Sequence, residues 1–357
     1  MIGVVTTSYP RWPGDPAGNF VAAHVAALRA MGERVDVLAA GHGPDRIPSS
    51  LFYDGGAPDK LEHGGLLAAL AFTARLTAAV AMRRWDSIIA HWLAPSALAA
   101  LPSRTPLLAI AHGGDIHTLR RMRLLAPALH LLHARGARLA FVSEELRQIA
   151  RAAAPRLARW LDDALVQAMG IDVARFARLA RVPSDPPIVL VAARLVRLKG
   201  VDVALAAMAH VTCGARLVIA GDGPERAQLV ARARDGVRFL GAVDTTTRDQ
   251  LLERASAVVI PSRSIAGRSE GTPLIALEAL AAGVPVIGSS VGGLAALPIE
   301  HVAPDEPRAL AGAIDRILAA PPAARDLRAR VAHLDWQTVA RRLSGENGAT
   351  PSRHRSA

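Results

Sequence analysis

Two carboxylates, Glu270 and Glu278, lie in the stretch RSEGTPLIALEALAAGVPVIGSSVGG, which runs from Arg268 to Gly293. A polar loop carries Glu270 and Gly271, and an apolar, helix-compatible segment carries Glu278. Val284 to Gly288 then reads as a short strand before a Gly292-Gly293 turn. Two acids among small residues can receive the hydroxyls of a polar ligand; the alternative is that Glu278 caps or solvates an ordinary helix. Arg194 and Lys199 follow the aliphatic run Val189 to Ala192. Cations at the carboxyl end of a strand can neutralise a diphosphate and stabilise charge on a leaving phosphate. Arginine does so with a fork and lysine as a point charge; the alternative is a pair of ordinary surface cations. His112 and Asp115 follow another aliphatic run, Leu107 to Ala111. Open α/β sheets bind ligands just beyond their strand ends, although a histidine there can also do no more than satisfy a carbonyl.

The elements that would position these residues follow a β-α rhythm. Ile2 to Thr6 reads as a strand, Thr7 to Asn19 as a Pro/Gly-rich loop, Phe20 to Met31 as a helix and Val35 to Ala39 as a strand. Gly14, Gly18 and Asn19 stand at the mouth of that helix, where free N–H groups suit a phosphate; a plain surface loop is the alternative. Gly41 to Glu62 reads as a long loop and Gly65 to Ala81 as a packed helix. Further strands are expected at Ser87 to Ala90, Leu107 to Ala111, Ala140 to Val142 and Leu165 to Met169. The segment from Thr118 to Arg138 carries Arg120, Arg121, Arg123, His130, His133 and Arg135 among leucines and alanines. As a helix it could meet anionic phospholipid headgroups or a phosphorylated acceptor, or simply show water a basic face.

Arg178 to Pro187 is polar, ends in two prolines and reads as a linker. The rhythm restarts at Ile188 to Ala192 and continues with strands at Ala215 to Ile219, Phe239 to Gly241 and Ala257 to Ile260. Two α/β units facing each other would leave a deep cleft between them, the default place for a ligand. The expected domains are residues 1–180 and 187–325, then a helix over 326–344 packing back toward the first domain. Residues 345–357 read as a disordered tail.

At 357 residues the chain is long for one core, and 51% apolar residues support two. Its formal charge of +11 favours anionic partners: nucleotides, phosphorylated substrates, nucleic acid or an anionic membrane surface. The single cysteine, Cys213, excludes an intrachain disulfide and a thiolate metal cluster. The first ten residues lack a basic segment followed by a long apolar one and read as a strand, not a signal peptide. HExxH, EF-hand, Walker A and GxSxG patterns are all missing.

Three segments together resemble the family 4 retaining glycosyltransferases. AARLVRLKG at Ala192 to Gly200 is similar to the family's GR-x-x-x-x-KG, and GDGP at Gly221 to Pro224 to its G-x-GP turn. EGTPLIALEALAAGVPVIGSSVGG resembles its paired-glutamate signature. The resemblance implies an α/β GT-B fold, two Rossmann-like domains facing across a deep cleft. It implies transfer of a hexosyl group, with retention, from a UDP- or GDP-linked sugar to an acceptor hydroxyl, without a metal or other cofactor. Arg194 and Lys199 would hold the donor diphosphate and stabilise the departing phosphate. Glu270 would lie beside the donor sugar hydroxyls and Glu278 would bind the ribose. The backbone around Gly271, Thr272, Pro273 and Leu274 would hold sugar and phosphates. Gly18 matches the amino-terminal glycine loop near donor phosphate and acceptor, and His112 the histidine near the reacting sugar.

The expected acceptor is a polyprenyl-diphosphate-linked, phospholipid or saccharide one, used in cell-envelope polysaccharide or lipopolysaccharide synthesis. The basic segment 118–138 would give peripheral contact with an anionic membrane at the inner face of the cell membrane, in the cytoplasm. A soluble sugar or metabolite acceptor is the alternative, as is an inactive nucleotide- or glycan-binding protein; no nucleic acid partner is expected. The sequence departs from the family pattern in the first loop, which has a single glycine before Asn19 where many relatives have two, at Met169, where asparagine is common, and at Leu294 to Leu297, where an acid is common after the Gly292-Gly293 turn. Glu300 lies too far along to replace that acid.

Overall fold

A computed structural model describes residues 1–12, 15, 17–42, 46–49, 51–52, 65–266 and 269–345. Within them the first half of the chain forms a sheet of β1 (Ile2–Thr6), β2 (Val35–Ala40), β3 (Arg46–Ile47), β4 (Ser87–His91), β5 (Leu107–Ala111), β6 (Arg138–Phe141) and β7 (Leu165–Val166). Its order is β3-β2-β1-β4-β5-β6-β7, with every pairing parallel. The second half forms β8 (Ile188–Ala192), β9 (Arg216–Ala220), β10 (Val237–Gly241), β11 (Ala257–Ile260), β12 (Val286–Ser289) and β13 (Glu300–Val302). These run in the order β10-β9-β8-β11-β12-β13, again parallel throughout. Both sheets are doubly wound, and the strand order reverses between β1 and β4 and between β8 and β11. Ligand crevices open outside the carboxyl ends of the strands at such reversals.

Helices cover both faces, so central strands must be aliphatic along their whole length. β1 and β5 are accordingly buried at every residue. The helices used below are α1 (Asn19–Ala30), α2 (Leu66–Ala81), α3 (Gly114–Arg121), α4 (Leu125–Ala134), α5 (Glu144–Ala153), α6 (Val173–Ala177), α7 (Val201–Met208), α8 (Thr245–Arg254), α9 (Leu274–Ala282), α10 (Pro307–Ala319) and α11 (Trp336–Ser344). α1 buries Val21, His24, Val25 and Leu28 along one stripe, so a histidine occupies a core position. α9 has no polar face: Ala276 to Ala282 are all buried, Glu278 included.

Several expectations change. Thr118 to Arg138 is not one helix: α3 ends at Arg121, Arg123 takes a left-handed φ of 58°, and α4 begins at Leu125. Arg138 already belongs to β6. The strand expected over Leu165 to Met169 is only Leu165–Val166, and the loop expected over Gly41 to Glu62 contains the edge strand β3. Residues 326–344 break into a short helix Ala324–Ala329, a tight turn Ala332–Leu334 and α11, which Asp335 caps by accepting from the Gln337 amide at 3.0 Å. Gly14, Arg268 and the tail from 346 onward lie outside the described residues.

The segment read as a linker lies along the end of α8. The Val182 and Ser184 amides donate to the carbonyls of Glu253 and Arg254 at 3.0 and 3.1 Å. The chain leaves the first sheet through Ile171 and returns through Leu334 to Trp336, and the two crossings are bonded to each other. Ile171 N donates to Leu334 O at 2.9 Å, and Trp336 N donates to Ile171 O at 3.2 Å. α11 then packs on α1, with the Trp336 indole stacked on His24 at a centroid distance of 5.6 Å.

Candidate functional site

Lys199 ends the loop after β8, and Ser262 and Glu270 belong to the loop after β11, the two loops flanking the second sheet's reversal. Lys199 Nζ forms an ion pair with Glu270 Oε1, and Ser262 Oγ donates to Glu270 Oε2 at 2.6 Å. Both oxygens of Glu270 are therefore held by groups from neighbouring strand ends. Burial lowers the Lys199 ammonium to about 8, because desolvation disfavours the charged form. Arg194 stands exposed on the same loop as Lys199.

The loop that follows Glu270 crosses toward the first domain. Thr272 Oγ1 donates to Val142 O at 3.2 Å, and Ser269 Oγ donates to Glu145 at 2.6 Å. A Cβ on Gly271 would lie 3.4 Å from the His112 carbonyl. Leu274 packs against the cores of both halves. Pro273 occupies the position before α9, and no side chain caps that helix, so the amides of Leu274 and Ile275 and the positive end of its dipole have no side-chain acceptor. The Gly292-Gly293 turn braces the loop from behind: Gly293 N donates to Glu270 O at 2.8 Å, and a Cβ on Gly292 would meet that same oxygen at 2.2 Å. Of Leu294 to Leu297, the run where an acid was expected, Leu294 and Leu297 are buried while Ala295 and Ala296 are exposed. Glu300 pairs with Arg316 at 3.0 Å on edge strand β13, so it does not supply the acid.

Glu278 belongs to a different cluster. Arg248 Nη1 of α8 donates to its carboxylate at 3.0 Å, and Asp249 pairs with Arg175 of α6. The guanidiniums of Arg175 and Arg248 lie over the Phe176 ring at 4.9 and 5.5 Å. Burial raises the Glu278 carboxyl, against the pull of Arg248. Lys199 and Glu270 are thus brought into contact, while Glu278 reaches none of the Lys199, Ser262 or Glu270 side chains through the bonds it makes.

In the first half, Gly18 closes the loop after β1 with φ 65°, and a Cβ there would meet the Ser8 carbonyl at 2.2 Å. Both the backbone conformation and the close approach require glycine. His112 ends β5 and joins a chain of imidazoles: His91 Nδ1 lies 3.0 Å from His112 Nε2, and His24 Nδ1 lies 3.2 Å from His91 Nε2. Burial lowers His24 to about 4 and His112 to about 3, and holds His91 well below the usual range. At neutral pH each ring carries one proton, so both contacts run in the same direction. The buried Asp115 carboxylate is taken up by backbone, accepting from the amides of Leu93, His112, Gly113 and Ile116 at 2.7 to 3.2 Å. It locks the His112 loop. Among the described residues no group of three or more His, Cys, Asp or Glu could hold a metal ion.

Ser262, His91 and His24 were not singled out from sequence, though each had a signal. Ser262 and His91 end strands at a reversal, and His24 interrupts an apolar helical stripe. Arg175, Arg248 and Asp249 had none.

Residues 175–333 match the family described as glycosyl transferases group 1. That match lies in the second half of the chain, and the fold is GT-B. Among curated relatives, glycogen synthase of Mycobacterium tuberculosis (strain H37Rv) is 39% identical over 191 residues, covering 48% of this chain and 45% of that one. The putative teichuronic acid biosynthesis glycosyltransferase TuaC of Bacillus subtilis is 29% identical over 262 residues, 65% of this chain and 61% of that one. The matches to the most similar curated relatives thus span about half their length or less. Sucrose-phosphate synthase of Thermosynechococcus elongatus shares the fold at a TM-score of 0.70 and 23% identity, covering 97% of both chains. Anabaena HepE in complex with UDP-glucose does so at a TM-score of 0.70 and 19% identity, covering 97% of this chain and 99% of that one.

Proposed function

We propose that this protein is a glycosyltransferase of the group 1 family that transfers a glycosyl group, with retention, from a nucleotide-diphosphate sugar to an acceptor hydroxyl. The observation that carries the reading is the Lys199–Glu270 pair, with Ser262, at the strand reversal of the second domain. In this reading the donor diphosphate sits over Lys199, Arg194 and the uncapped start of α9. Cations and amides preorganised around a leaving phosphate supply stabilisation where its charge develops. Glu270 orients the donor sugar, His112 approaches the sugar from the first domain, and Gly18 lets the β1 loop come close to the phosphates. Glu278 binds the ribose by sharing or releasing Arg248. Closure of the cleft excludes water and limits donor hydrolysis.

UDP and GDP are the nucleotides proposed, and a lipid-linked or polysaccharide acceptor of the cell envelope is the acceptor proposed. Curated relatives named for teichuronic and colanic acid biosynthesis support that choice, as does the fold shared with the lipopolysaccharide outer core galactosyltransferase WaaB, at a TM-score of 0.67. The protein would act at the cytoplasmic membrane face; no described helix is long and apolar enough to cross a membrane. A second reading, a binding protein without turnover, is favoured by the apolar run Leu294 to Leu297 where an acid was expected.

The test is a panel of UDP-, GDP- and ADP-sugars offered with lipid and sugar acceptors, the product's anomeric configuration being read by NMR. Transfer with retention is expected. Saturable donor binding with neither transfer nor hydrolysis would leave the binding-protein reading standing.

A further inference from the structure

A cavity of about 490 Å³ opens at the carboxyl edge of the first sheet, within the range of ~300–1,000 Å³ common for small-molecule sites. Its walls come from α1, α2, the turn after β4 and α3, and include Phe20, Trp92, Leu98 and Leu119. The polar side chains among the described lining residues are Thr7, Ser8, Thr73, Thr118 and Asp115, and the Asp115 carboxylate is already filled by four backbone amides. A saccharide needs a polar partner for each hydroxyl it buries, and this chamber has few to give.

The cavity adjoins the transfer centre proposed above. Gly18 lines it, and so does Trp92, whose ring lies 4.9 Å from that of His112. At the other end, Leu66, Met122 and Leu124 line the cavity and remain exposed at 48%, 37% and 45%. Leu67 and Leu70 extend the apolar surface along α2 at 80% and 58%. Single exposed leucines need no explanation, whereas a cluster continuous with an apolar chamber does. Exposed Arg120, in the last turn of α3, and exposed Arg123, in the break that follows, flank Met122 in the chain. Apolar side chains interspersed with cations suit the boundary of an anionic lipid layer.

We propose that the cavity holds the hydrocarbon chain of a phosphate-bearing lipid acceptor, which enters past Leu66, Met122 and Leu124 with Arg120 and Arg123 facing anionic headgroups. The chain anchors the acceptor while its head lies between Gly18 and His112. The proposal rests on the transferase reading for the choice of acceptor, but the binding site itself can be tested without turnover.

The experiment is titration of the full chain with farnesyl phosphate, with farnesol and inorganic phosphate as separate arms, followed by tryptophan fluorescence. Saturable binding of farnesyl phosphate is expected, with partial binding of farnesol and no competition from inorganic phosphate. Ala69→Phe, which fills the chamber from α2, should weaken farnesyl phosphate binding roughly tenfold or more by excluding buried methylenes, with binding of the free donor nucleotide unchanged. Full competition by inorganic phosphate, or equal binding by wild type and a folded Ala69→Phe, would overturn the proposal; the competition arm decides even if the variant does not fold. Farnesyl phosphate binding without transfer to any acceptor would keep the cavity and remove the transferase. Transfer to a soluble sugar without farnesyl phosphate binding would do the reverse.

Discussion

Lys199 and Glu270, contributed by loops after β8 and β11, are ion-paired at the strand reversal, with the second carboxylate oxygen held by Ser262 at 2.6 Å. In the proposed donor site a diphosphate would meet an ammonium that is already placed. Lys199→Ala should lower turnover by about 10²–10³, the usual cost of removing one preorganised charge-stabilising donor, with little change in thermal midpoint. Unchanged turnover in both Lys199→Ala and Arg194→Ala would remove the diphosphate assignment.

The same lysine gives a pH signature. With its ammonium lowered to about 8, donor affinity should fall as pH rises through 8 while the nucleotide's own charge stays constant. Folding moves the other way. Between about 8 and the unfolded value of 10.5 the unfolded chain binds more protons at this residue, so its contribution to stability rises with pH. Calorimetric titration of free nucleotide from pH 7 to 9, set against denaturant midpoints, separates the two; affinity that is flat across pH 8 refutes the role.

The histidine chain should have one proton order. His24 Nε2 is buried without a partner, and a buried N–H left unpaired is rarer than an unpaired acceptor. His24 should therefore donate from Nδ1 to His91, and His91 from Nδ1 to His112, which leaves His112 an Nδ1–H of its own. Nitrogen-15 spectra of labelled imidazoles should show three Nδ1–H tautomers; an Nε2–H at His24 would reverse the order. All three rings have folded values below the unfolded 6.5, so stability should fall as pH drops from about 6.5 toward 4. His24→Phe should flatten that slope.

Glu278 and Arg248 form a largely buried pair at 3.0 Å. Arg248→Met would strand the carboxylate and should cost about 3–5 kcal/mol if Glu278 stays ionised, less if it takes up a proton as its raised value favours. Glu278→Ala should mainly weaken binding of free nucleotide. Denaturation of the first variant and calorimetry of the second are the measurements, and unaltered nucleotide affinity in Glu278→Ala would return that glutamate to a purely structural role.

Arg120→Ala combined with Arg123→Ala should weaken flotation with anionic vesicles by about 1 kcal/mol per cation near the surface, an effect that shrinks at high salt. If the double variant floats like wild type at low salt, the break between α3 and α4 is only a solvated basic face.

Most strands were legible because parallel strands covered on both faces must be aliphatic throughout, as Ile2–Thr6 and Leu107–Ala111 are. β3 was not, since two residues at a sheet edge leave no periodicity. The 118–138 segment misled because its composition suits a helix at both ends, while the break depends on one backbone angle at Arg123. Lys199 and Glu270 could be placed beyond strand ends from sequence, but their contact depends on strand order, which brings β11 beside β8 despite the elements between them. Arg175, Arg248 and Asp249 lie on amphipathic surfaces where charges are ordinary, and only packing turns them toward Glu278. Asp115 shows the opposite error: an acid beyond a strand end reads as a ligand group until its four amide partners are seen.

The two crossings between the halves, at Ile171 and at Leu334 to Trp336, are bonded into a narrow ribbon. A single tether would let one half swivel freely about the other. Two crossings bonded to each other leave one half fewer ways to rotate about the other than a single tether would. Beside the site the halves are joined again by the Thr272–Val142 and Ser269–Glu145 bonds, so the ribbon and these side chains together set where Gly271 lies against the His112 carbonyl.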